Sequence, residues 1–431
     1  MLNERTDKAL KEAEGLLHRL DRINKFSDKY GIMPIREVGK LYEEMQELAA
    51  PIPEIQHPAN QDELLLTEVK RRMQGSATHL EHEISGELYD FDRVTRLYGI
   101  PKEDLDSLKP WLEQNREKTQ EAIEGLFTSR DMKEYELPLA GDVPSVRRQA
   151  EEVAGAHIER YHRAISKLLQ GLTKTGGFAR DVHVHPSTVG RSYFNSVTNK
   201  VGISIERILF GKEDGTLGLR EGELIRLFGH EAMGHALNFV VTRAGGLPHL
   251  LTDHSYFTEA SGESVAQFYE KQLLEDLRNS TDAQKALDIE HRFPVIYQEA
   301  KDREQLDDYN KRLNWYAITV LADKSLGDPK NPAVLKRKTE MLAEVAVNRA
   351  GIASWVEGKK DEFDSGGNLS PKMVAELRYC AQPVSRALEE FSKRGIQYDG
   401  KDRSYIDATL LKGLWTPQGF VDNARLRAEN K

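Results

Sequence analysis

Apolar residues recur three and four positions apart along most of the chain, which is the spacing of one face of an α-helix. In the first part of the chain this pattern predicts helices at about residues 2–20, 35–48, 64–97, 102–126 and 144–172. In the last part it predicts helices at about residues 221–243, 256–277, 302–321, 332–349 and 370–391. We therefore expect a mostly helical protein.

The pattern changes near the middle of the chain. Residues 181–185 (DVHVH) and 200–205 (KVGISI) alternate in the manner of β-strands. The expected fold class is therefore α+β, mostly α with a small β-sheet near the middle. We expect a helical N-terminal region over residues 1–180 and a second region over residues 181–431. These regions form either two lobes around a groove or one continuous unit.

Composition excludes several classes of protein. Hydrophobic residues make up 39% and charged residues 30% of the 431 residues, a balance that argues against disorder. The net charge of −9 disfavours nucleic acid as a partner. No apolar run is long enough to span a membrane, and the N-terminus lacks a signal-peptide pattern. Cys380 is the single cysteine, so we expect no internal disulfide and a cytoplasmic location.

The strongest chemical signal is the segment LFGHEAMGHAL at residues 227–237, which places His230, Glu231 and His235 on a predicted amphipathic helix. Neutral imidazoles bind zinc, and a neighbouring carboxylate can accept a proton from an attacking water. The segment therefore predicts His230 and His235 as ligands of one zinc ion per chain, with Glu231 as the general base.

The spacing of the two histidines departs from the familiar H-E-x-x-H motif, because here they are five positions apart. In a regular α-helix five residues leave the two side chains roughly 140° apart, too divergent to share one ion. A π-bulge adds one residue to a turn and would restore the alignment. We therefore predict a distortion within residues 230–235, which Gly234 would tolerate. In an undistorted helix the pair on one face would instead be Glu231 and His235.

A third ligand is predicted from the next helix. Glu263 and Glu270 are seven positions apart and share one face of it, with Ala266 between them. Acidic residues that point inward beside small residues need a partner, and a metal ion is one such partner. Glu259, four residues before Glu263 on the same face, is an alternative third ligand.

The segment ESVAQFYE, residues 263–270, resembles the third-ligand helix of gluzincin metallopeptidases. It is similar to E-S-x-S-R-x-W-E in Taq-type carboxypeptidases and to E-x-P-S-Q-x-x-E in thimet-type oligopeptidases. It also resembles the E-G-x-A-x-x-x-E helix of families that include the tyrosine carboxypeptidases acting on tubulin, which carry H-E-x-x-x-H as well. Ser264 replaces the glycine of that form, which leaves the choice among the families open. The resemblance covers about residues 182–277.

This resemblance implies that His230, His235 and Glu263 bind zinc and that Glu231 is the general base. It also implies that Glu270 hydrogen-bonds a ligand histidine and fixes its tautomer. In gluzincins the strand before the site helix binds substrate. We therefore expect the strand containing the residues Val201, Gly202 and Ile203 to offer an edge to an extended peptide.

Further site residues follow from the needs of the reaction. The tetrahedral oxyanion of peptide hydrolysis needs a hydrogen-bond donor besides the metal. Since no histidine follows His291, a C-terminal donor must be a tyrosine or an arginine. We predict Tyr379, with Arg378 and Arg386 as alternatives. Arg191 and Tyr193 are candidates for contacting the substrate.

Three functions are consistent with these residues. The first is a zinc metallopeptidase, carboxypeptidase-like by resemblance, whose partner is a peptide or protein substrate. The second is a zinc enzyme acting on a non-peptide substrate, because the same metal and base serve other hydrolytic reactions. The third is a non-catalytic helical interaction protein with a vestigial metal site.

Overall fold

The computed structural model describes residues 3–30, 33–128, 135–136, 144–173, 182–196, 198–212, 216–244, 247–252 and 258–431. In these ranges the chain is mostly helical, with two small β-sheets near the middle of the sequence. The predicted α+β class is therefore confirmed. None of the described helices combines the length and the apolar character needed to cross a membrane.

The helices of the first part of the chain follow the predicted pattern. They are α1 (Glu4–Tyr30), α2 (Ile35–Ala49), α3 (Gln61–Ser85), α4 (Phe91–Leu97), α5 (Lys102–Asp106), α6 (Leu108–Thr128) and α7 (Pro144–Thr173). The predicted helix at 64–97 is two helices. Asn60 caps the start of α3 by accepting a hydrogen bond from the Glu63 N–H, and Gly86, with φ of 69°, ends it in the left-handed conformation.

The second part of the chain is also helical and includes one π-helix. Its helices are α8 (Ile205–Ile208), α9 (Glu221–Leu227), the π-helix (Phe228–Leu237), α10 (Asn238–Ala244), α11 (Glu259–Arg278), α12 (Thr281–Leu287), α13 (Phe293–Ala322), α14 (Pro332–Val345), α15 (Arg349–Lys359), α16 (Pro371–Leu377), α17 (Pro383–Ser392), α18 (Arg403–Leu410) and α19 (Pro417–Glu429). Short 3-10 turns cover His249–Leu251, Lys324–Leu326, Lys360–Glu362 and Arg378–Ala381.

The predicted helix at 370–391 is interrupted just before Pro383. Helix α16 gives way to the 3-10 turn Arg378–Ala381, and Gln382 then takes a left-handed φ of 40°. Because Pro383 lacks an N–H and fixes its own φ, it fits the first turn of the new helix α17. The start of the helix predicted at 256–277 lies outside the described residues.

The first sheet lies just before the π-helix in sequence. Its strands are β2 (His183–Ser187), β3 (Tyr193–Asn195) and β4 (Lys200–Ser204), in the order β2-β4-β3. Strand β4 pairs with β2 in parallel and with β3 in antiparallel orientation. The second sheet contains β1 (Tyr135–Glu136), β5 (Leu209–Gly211) and β6 (Leu217–Leu219), in the order β1-β5-β6, and is antiparallel.

The position of β4 corrects one prediction. We expected the strand with Val201, Gly202 and Ile203 to offer a free edge to substrate, but β4 is the central strand of its sheet. The backbone groups of Val201 and Gly202 face neighbouring strands on both sides. An added peptide strand needs unpaired backbone groups, so it cannot pair with β4 at these residues.

Two hydrophobic cores organise the described residues. The first is built from helices near both ends of the chain together with the first sheet and the π-helix, so it combines residues from before and after position 180. The second is built mainly from residues 89–112 and 309–381. The expected division at residue 180 therefore does not separate the two cores.

Candidate metal centre

The helix that carries the H-E-x-x-x-H motif contains the predicted distortion. It runs from Glu221 to Ala244 as α9, the π-helix and α10, and the π-helical part covers both histidines. Hydrogen bonds in a π-helix span five residues. His230 and His235 therefore lie on the same side of the helix, with ring centroids 5.0 Å apart. The distortion predicted from the spacing is confirmed.

Helix α11 brings a carboxylate between the two imidazoles. Glu263 Oε2 lies 3.4 Å from His230 Nε2, and Glu263 Oε1 lies 3.1 Å from His235 Nε2. One ligand atom from each of the three side chains lies within 4.8 Å of the other two, so the group can hold a metal ion. We call these three residues the His–His–Glu cluster.

Two glycines allow the π-helix to approach α11 closely. A Cβ atom on Gly234 would lie 2.2 Å from Ala266 Cα, and a Cβ atom on Gly229 would lie 2.6 Å from Glu270 Cα. Since these neighbours are main-chain atoms, no side-chain rotation can relieve either clash. Gly234 therefore does more than tolerate the distortion, because it lets the backbones touch and Glu263 reach both histidines.

Behind His230 lies a charged network that the sequence analysis predicted only in part. His230 Nδ1 is 3.3 Å from Glu270 Oε2, the contact expected for Glu270. Arg226 Nε donates to Glu270 Oε1 over 2.7 Å and also forms ion pairs with Glu223 and Asp307. Arg226 was missed, although it precedes His230 by four residues and so lies on the same helical face.

The network sets the charge state of the metal-free site. Burial lowers the pKa of His230, but hydrogen bonds to Glu263 and Glu270 outweigh it and raise the pKa to about 10. Burial raises the pKa of Glu263, yet the His230 and His235 hydrogen bonds hold it well below its usual range. The pKa of Glu270 is lowered to about 2, because His230 and Arg226 outweigh burial. In the absence of a metal ion, His230 therefore keeps a proton that Glu263 and Glu270 stabilise. A bound cation can take the place of that proton.

Glu231, the predicted general base, directly follows the cluster residue His230 in the sequence. It is buried, with 8% of its surface exposed. Burial raises the pKa of Glu231, and the charges of His235 and His230 oppose that shift. A carboxylate with a raised pKa is a better proton acceptor near neutral pH, which suits the predicted role of general base.

Glu259 has a different set of partners from Glu263. It accepts a hydrogen bond from the Tyr379 hydroxyl over 3.1 Å and pairs with Arg378 over 2.6 Å. Its side chain is 47% exposed, and it is not one of the three residues of the cluster. The geometry therefore favours Glu263 over Glu259 as the third ligand.

Tyr379, the predicted oxyanion donor, contacts the first residue of α11, Glu259, through its hydroxyl. Arg378 Nη2 donates to the Tyr379 hydroxyl over 2.9 Å. Burial raises the pKa of Tyr379 to about 12, against the charge of Arg378 and together with the charges of Glu259 and Glu263. Arg386, an alternative donor, instead donates to the Gly99 carbonyl and to Gln418. The structure therefore leaves Tyr379 as the better placed of these two donors.

The predicted substrate-contacting residues are in the first sheet. The Tyr193 ring covers Gly202, where a Cβ atom would lie 2.5 Å from the ring. Arg191 is exposed. In the described part of the chain neither residue forms a hydrogen bond or ion pair with the His–His–Glu cluster. The sheet reaches the ligand helix through Phe194, whose ring packs 5.5 Å from that of Phe239.

Comparisons with known proteins add little. No protein-family model matches the chain, and no curated protein matches it. The chain is similar to a solved structure described as the "putative lipoprotein from Colwellia psychrerythraea", with 12% identity and a TM-score of 0.44. That similarity covers 91% of this chain and 67% of the other. At this level it carries no argument about function.

Proposed function

We propose that the protein is a zinc-dependent hydrolase, most simply a metallopeptidase. The observation that carries the proposal is the convergence of His230, His235 and Glu263 through a π-helix that the motif spacing requires. Two imidazoles and one carboxylate are the ligand set of a recognised class of catalytic zinc site, which keeps a further position open for water or substrate.

The surrounding residues fit that ligand set. Glu270 accepts the Nδ1 proton of His230 and so leaves Nε2 as the nitrogen that faces Glu263. Arg226 holds Glu270 in place from the other side. Together they fix both the ring orientation and the tautomer that a ligand histidine needs.

The chain's own residues provide the acid–base chemistry. A bound zinc ion supplies Lewis-acid polarisation of the scissile carbonyl and activation of a water molecule. Glu231 accepts the proton of the attacking water and passes it to the leaving amine. The Tyr379 hydroxyl accepts a hydrogen bond from Arg378 and donates to Glu259, and it donates to the oxyanion once its proton turns from Glu259 towards the substrate.

The substrate class follows from the resemblance rather than from the comparisons. The ESVAQFYE segment favours a peptide substrate and carboxypeptidase-like cleavage at a chain end. The two other functions remain alternatives, namely hydrolysis of a non-peptide substrate and a binding protein with a vestigial metal site. We retain a cytoplasmic location within the proposal, supported by a single buried cysteine, Cys380.

Metal content tests the first part of the proposal. We expect one zinc ion per chain after reconstitution and dialysis, measured by elemental analysis. His230→Ala should lose it, whereas His291→Ala, at an exposed histidine far along the sequence, should keep it. If wild type and His230→Ala retain equal zinc, the proposed site is wrong.

Peptide hydrolysis tests the second part. A peptide library with free and blocked C-termini is incubated with zinc-loaded wild type, Glu231→Gln and the control Glu340→Gln, at an exposed carboxylate. Removing a general base typically costs about 10²–10⁴-fold in rate, so Glu231→Gln should retain zinc and lose cleavage. A wild type that binds zinc but cleaves no peptide would leave a non-peptide substrate or a binding role.

A further inference from the structure

A cavity of about 160 Å³ lies along α11, the helix that also carries Glu263 of the His–His–Glu cluster. Its walls are one face of α11, one face of α13 and the segment at residues 379–385. On α13 the lining residues are Asp308, Lys311, Arg312 and Trp315, which recur at helical spacing and so share one face. The cavity is therefore built from the same helix that carries Glu263.

Two residues connect this cavity with the cluster by way of α11 and its neighbouring turn. Ser264, which lines it, directly follows Glu263, and its Oγ accepts a hydrogen bond from the Val384 N–H over 3.2 Å. Tyr379 also lines it, and its hydroxyl binds Glu259, one helical turn before Glu263. The charge of Glu263 also acts on Tyr379 in the cavity wall. The cavity and the cluster therefore share both α11 and this electrostatic link.

The charge of the cavity is positive. Lys271 is neutralised by Asp308 at 2.7 Å and Glu304 at 3.0 Å. Across the described ranges, neither Lys311 nor Arg312 forms a direct ion pair, and Asp104 is an acidic residue whose charge interacts with Arg312 at longer range. Arg312 stacks 4.4 Å over the Trp111 ring, which fixes its side chain without removing its charge. Two positive charges in this half-buried wall therefore have no direct ion-pair partner among the described residues.

We propose that this cavity binds a carboxylate of the substrate through Lys311 and Arg312 while the scissile bond lies at the His–His–Glu cluster. Ammonium and guanidinium groups form strong, charge-assisted hydrogen bonds to a carboxylate. Ligand pockets for whole small molecules are typically about 300–1,000 Å³. This smaller cavity suits one terminal or side-chain group of a larger substrate.

The carboxylate has two chemical sources, a free C-terminus or an acidic side chain. Both present the same group to Lys311 and Arg312, and the test separates them. The proposal rests on the hydrolase function for its meaning, but the measurement is of binding and needs no turnover.

The test uses the zinc-loaded full chain carrying Glu231→Gln, so that bound peptide is not consumed. Three fluorescent peptides share one neutral core. The first has a free C-terminus, the second is amidated and carries one glutamate, and the third is amidated and neutral. Fluorescence anisotropy measures their Kd with Lys311→Met, Arg312→Met, both together, and the control Lys336→Met at an exposed lysine. Methionine keeps an unbranched apolar stem and removes the charge.

We expect at least one carboxylate-bearing peptide to bind about tenfold or more tighter than the neutral one. The double substitution should abolish that preference, while Lys336→Met should not. Preference for the first peptide identifies a C-terminal carboxylate, and preference for the second an acidic side chain. Thermal unfolding checks each variant. If Arg312→Met is misfolded through loss of the Trp111 contact, Lys311→Met alone still gives the answer.

Equal binding of the three peptides, or equal weakening of all three by the double substitution, would overturn the proposal. If the protein shows no hydrolysis and still has the preference that depends on Lys311 and Arg312, the proposed carboxylate site stands and the proposed hydrolase function fails. If the protein hydrolyses peptides but lacks this preference, the hydrolase function stands and the carboxylate site fails.

Discussion

The two sides of the candidate site are built in different ways. On one side, the π-helix and α11 meet backbone to backbone at Gly229 and Gly234, and the His–His–Glu cluster lies at that contact. On the other side, the 3-10 turn with Tyr379 meets α11 through side chains, with Glu259 accepting from Tyr379 and pairing with Arg378. The geometry of the His–His–Glu cluster is thus set by main-chain packing, whereas the Tyr379 side depends on contacts between side chains.

This difference predicts which substitutions act on the metal and which do not. Changes at the backbone contact should affect folding and metal binding together. Changes among the side chains around Tyr379 should leave the metal in place.

Gly234→Ala should have the largest effect. Its Cβ would lie 2.2 Å from Ala266 Cα, so the helices must separate. Overpacking costs typically 1–3 kcal/mol, and a clash with main-chain atoms should reach the upper end, about 3 kcal/mol, or about 150-fold in the folding constant. Denaturant unfolding and zinc titration of the refolded protein measure the two consequences.

Gly262→Ala is the matched control, because nothing lies within 4 Å of its Cβ position on α11. Alanine in place of a helical glycine should leave stability unchanged or raise it by up to about 1 kcal/mol. If the two substitutions have equal effects, close backbone packing is not what holds the cluster together.

Glu263→Gln and Glu259→Gln separate the two carboxylates left open by the sequence. Losing a residue that hydrogen-bonds a metal ligand typically costs about 10–100-fold in metal affinity. Losing the ligand itself should cost more than about 100-fold. We expect that loss for Glu263→Gln and less than about twofold for Glu259→Gln, because Glu259 is engaged with Tyr379 and Arg378. Competition with a chromophoric zinc chelator measures both. A larger loss for Glu259→Gln would reverse the assignment.

Much of this site could be predicted from the sequence, for a geometric reason. In a regular α-helix, histidines five residues apart cannot bind one ion, so the assumption of a shared metal at His230 and His235 required a local distortion. The frame from Glu263 to Glu270 is likewise local, because seven residues complete two turns.

Other features depend on contacts distant in sequence and could not be predicted. The central position of β4 follows from its parallel pairing with β2, and alternation along a strand does not show which neighbours it has. Asp307 reaches Arg226 across 81 positions of sequence. The cavity beside α11 depends on the packing of α13, which the sequence pattern places only as a separate helix.

Glu270→Gln should have an intermediate effect on the metal side. The glutamine keeps the size of the side chain but removes the charge shared between His230 and Arg226. Substitution of such partners typically costs about 10–100-fold in metal affinity. The same chelator competition applies, with Glu304→Gln as a control carboxylate that pairs with Lys271 and not with His230. Unchanged affinity would show that Glu270 does not orient His230.

The smallest expected effect is the pH dependence, about tenfold in zinc affinity per pH unit. Metal binding needs neutral imidazole, and the pKa of His230 is raised to about 10 by Glu263 and Glu270 despite burial. Below that pH zinc must displace a proton, so affinity should fall as the pH is lowered from about 9 to 7. The metal-free protein should behave oppositely. Because the pKa of His230 is raised, its protonation stabilises the folded protein. This contribution is fully present at pH values below the ordinary pKa of 6.5 and is lost as the pH rises towards 10.

Zinc affinity that rises with pH, together with stability of the metal-free protein that falls with pH, would therefore place the displaced proton on His230. Isothermal titration in buffers of different ionisation enthalpy counts the released protons, and denaturant unfolding of the metal-free protein gives the second slope. Glu270→Gln sharpens the result, because losing one carboxylate should lower the pKa of His230 and move both slopes to lower pH. Zinc affinity that is flat between pH 7 and 9 would mean that the carboxylates do not hold a proton at the metal position.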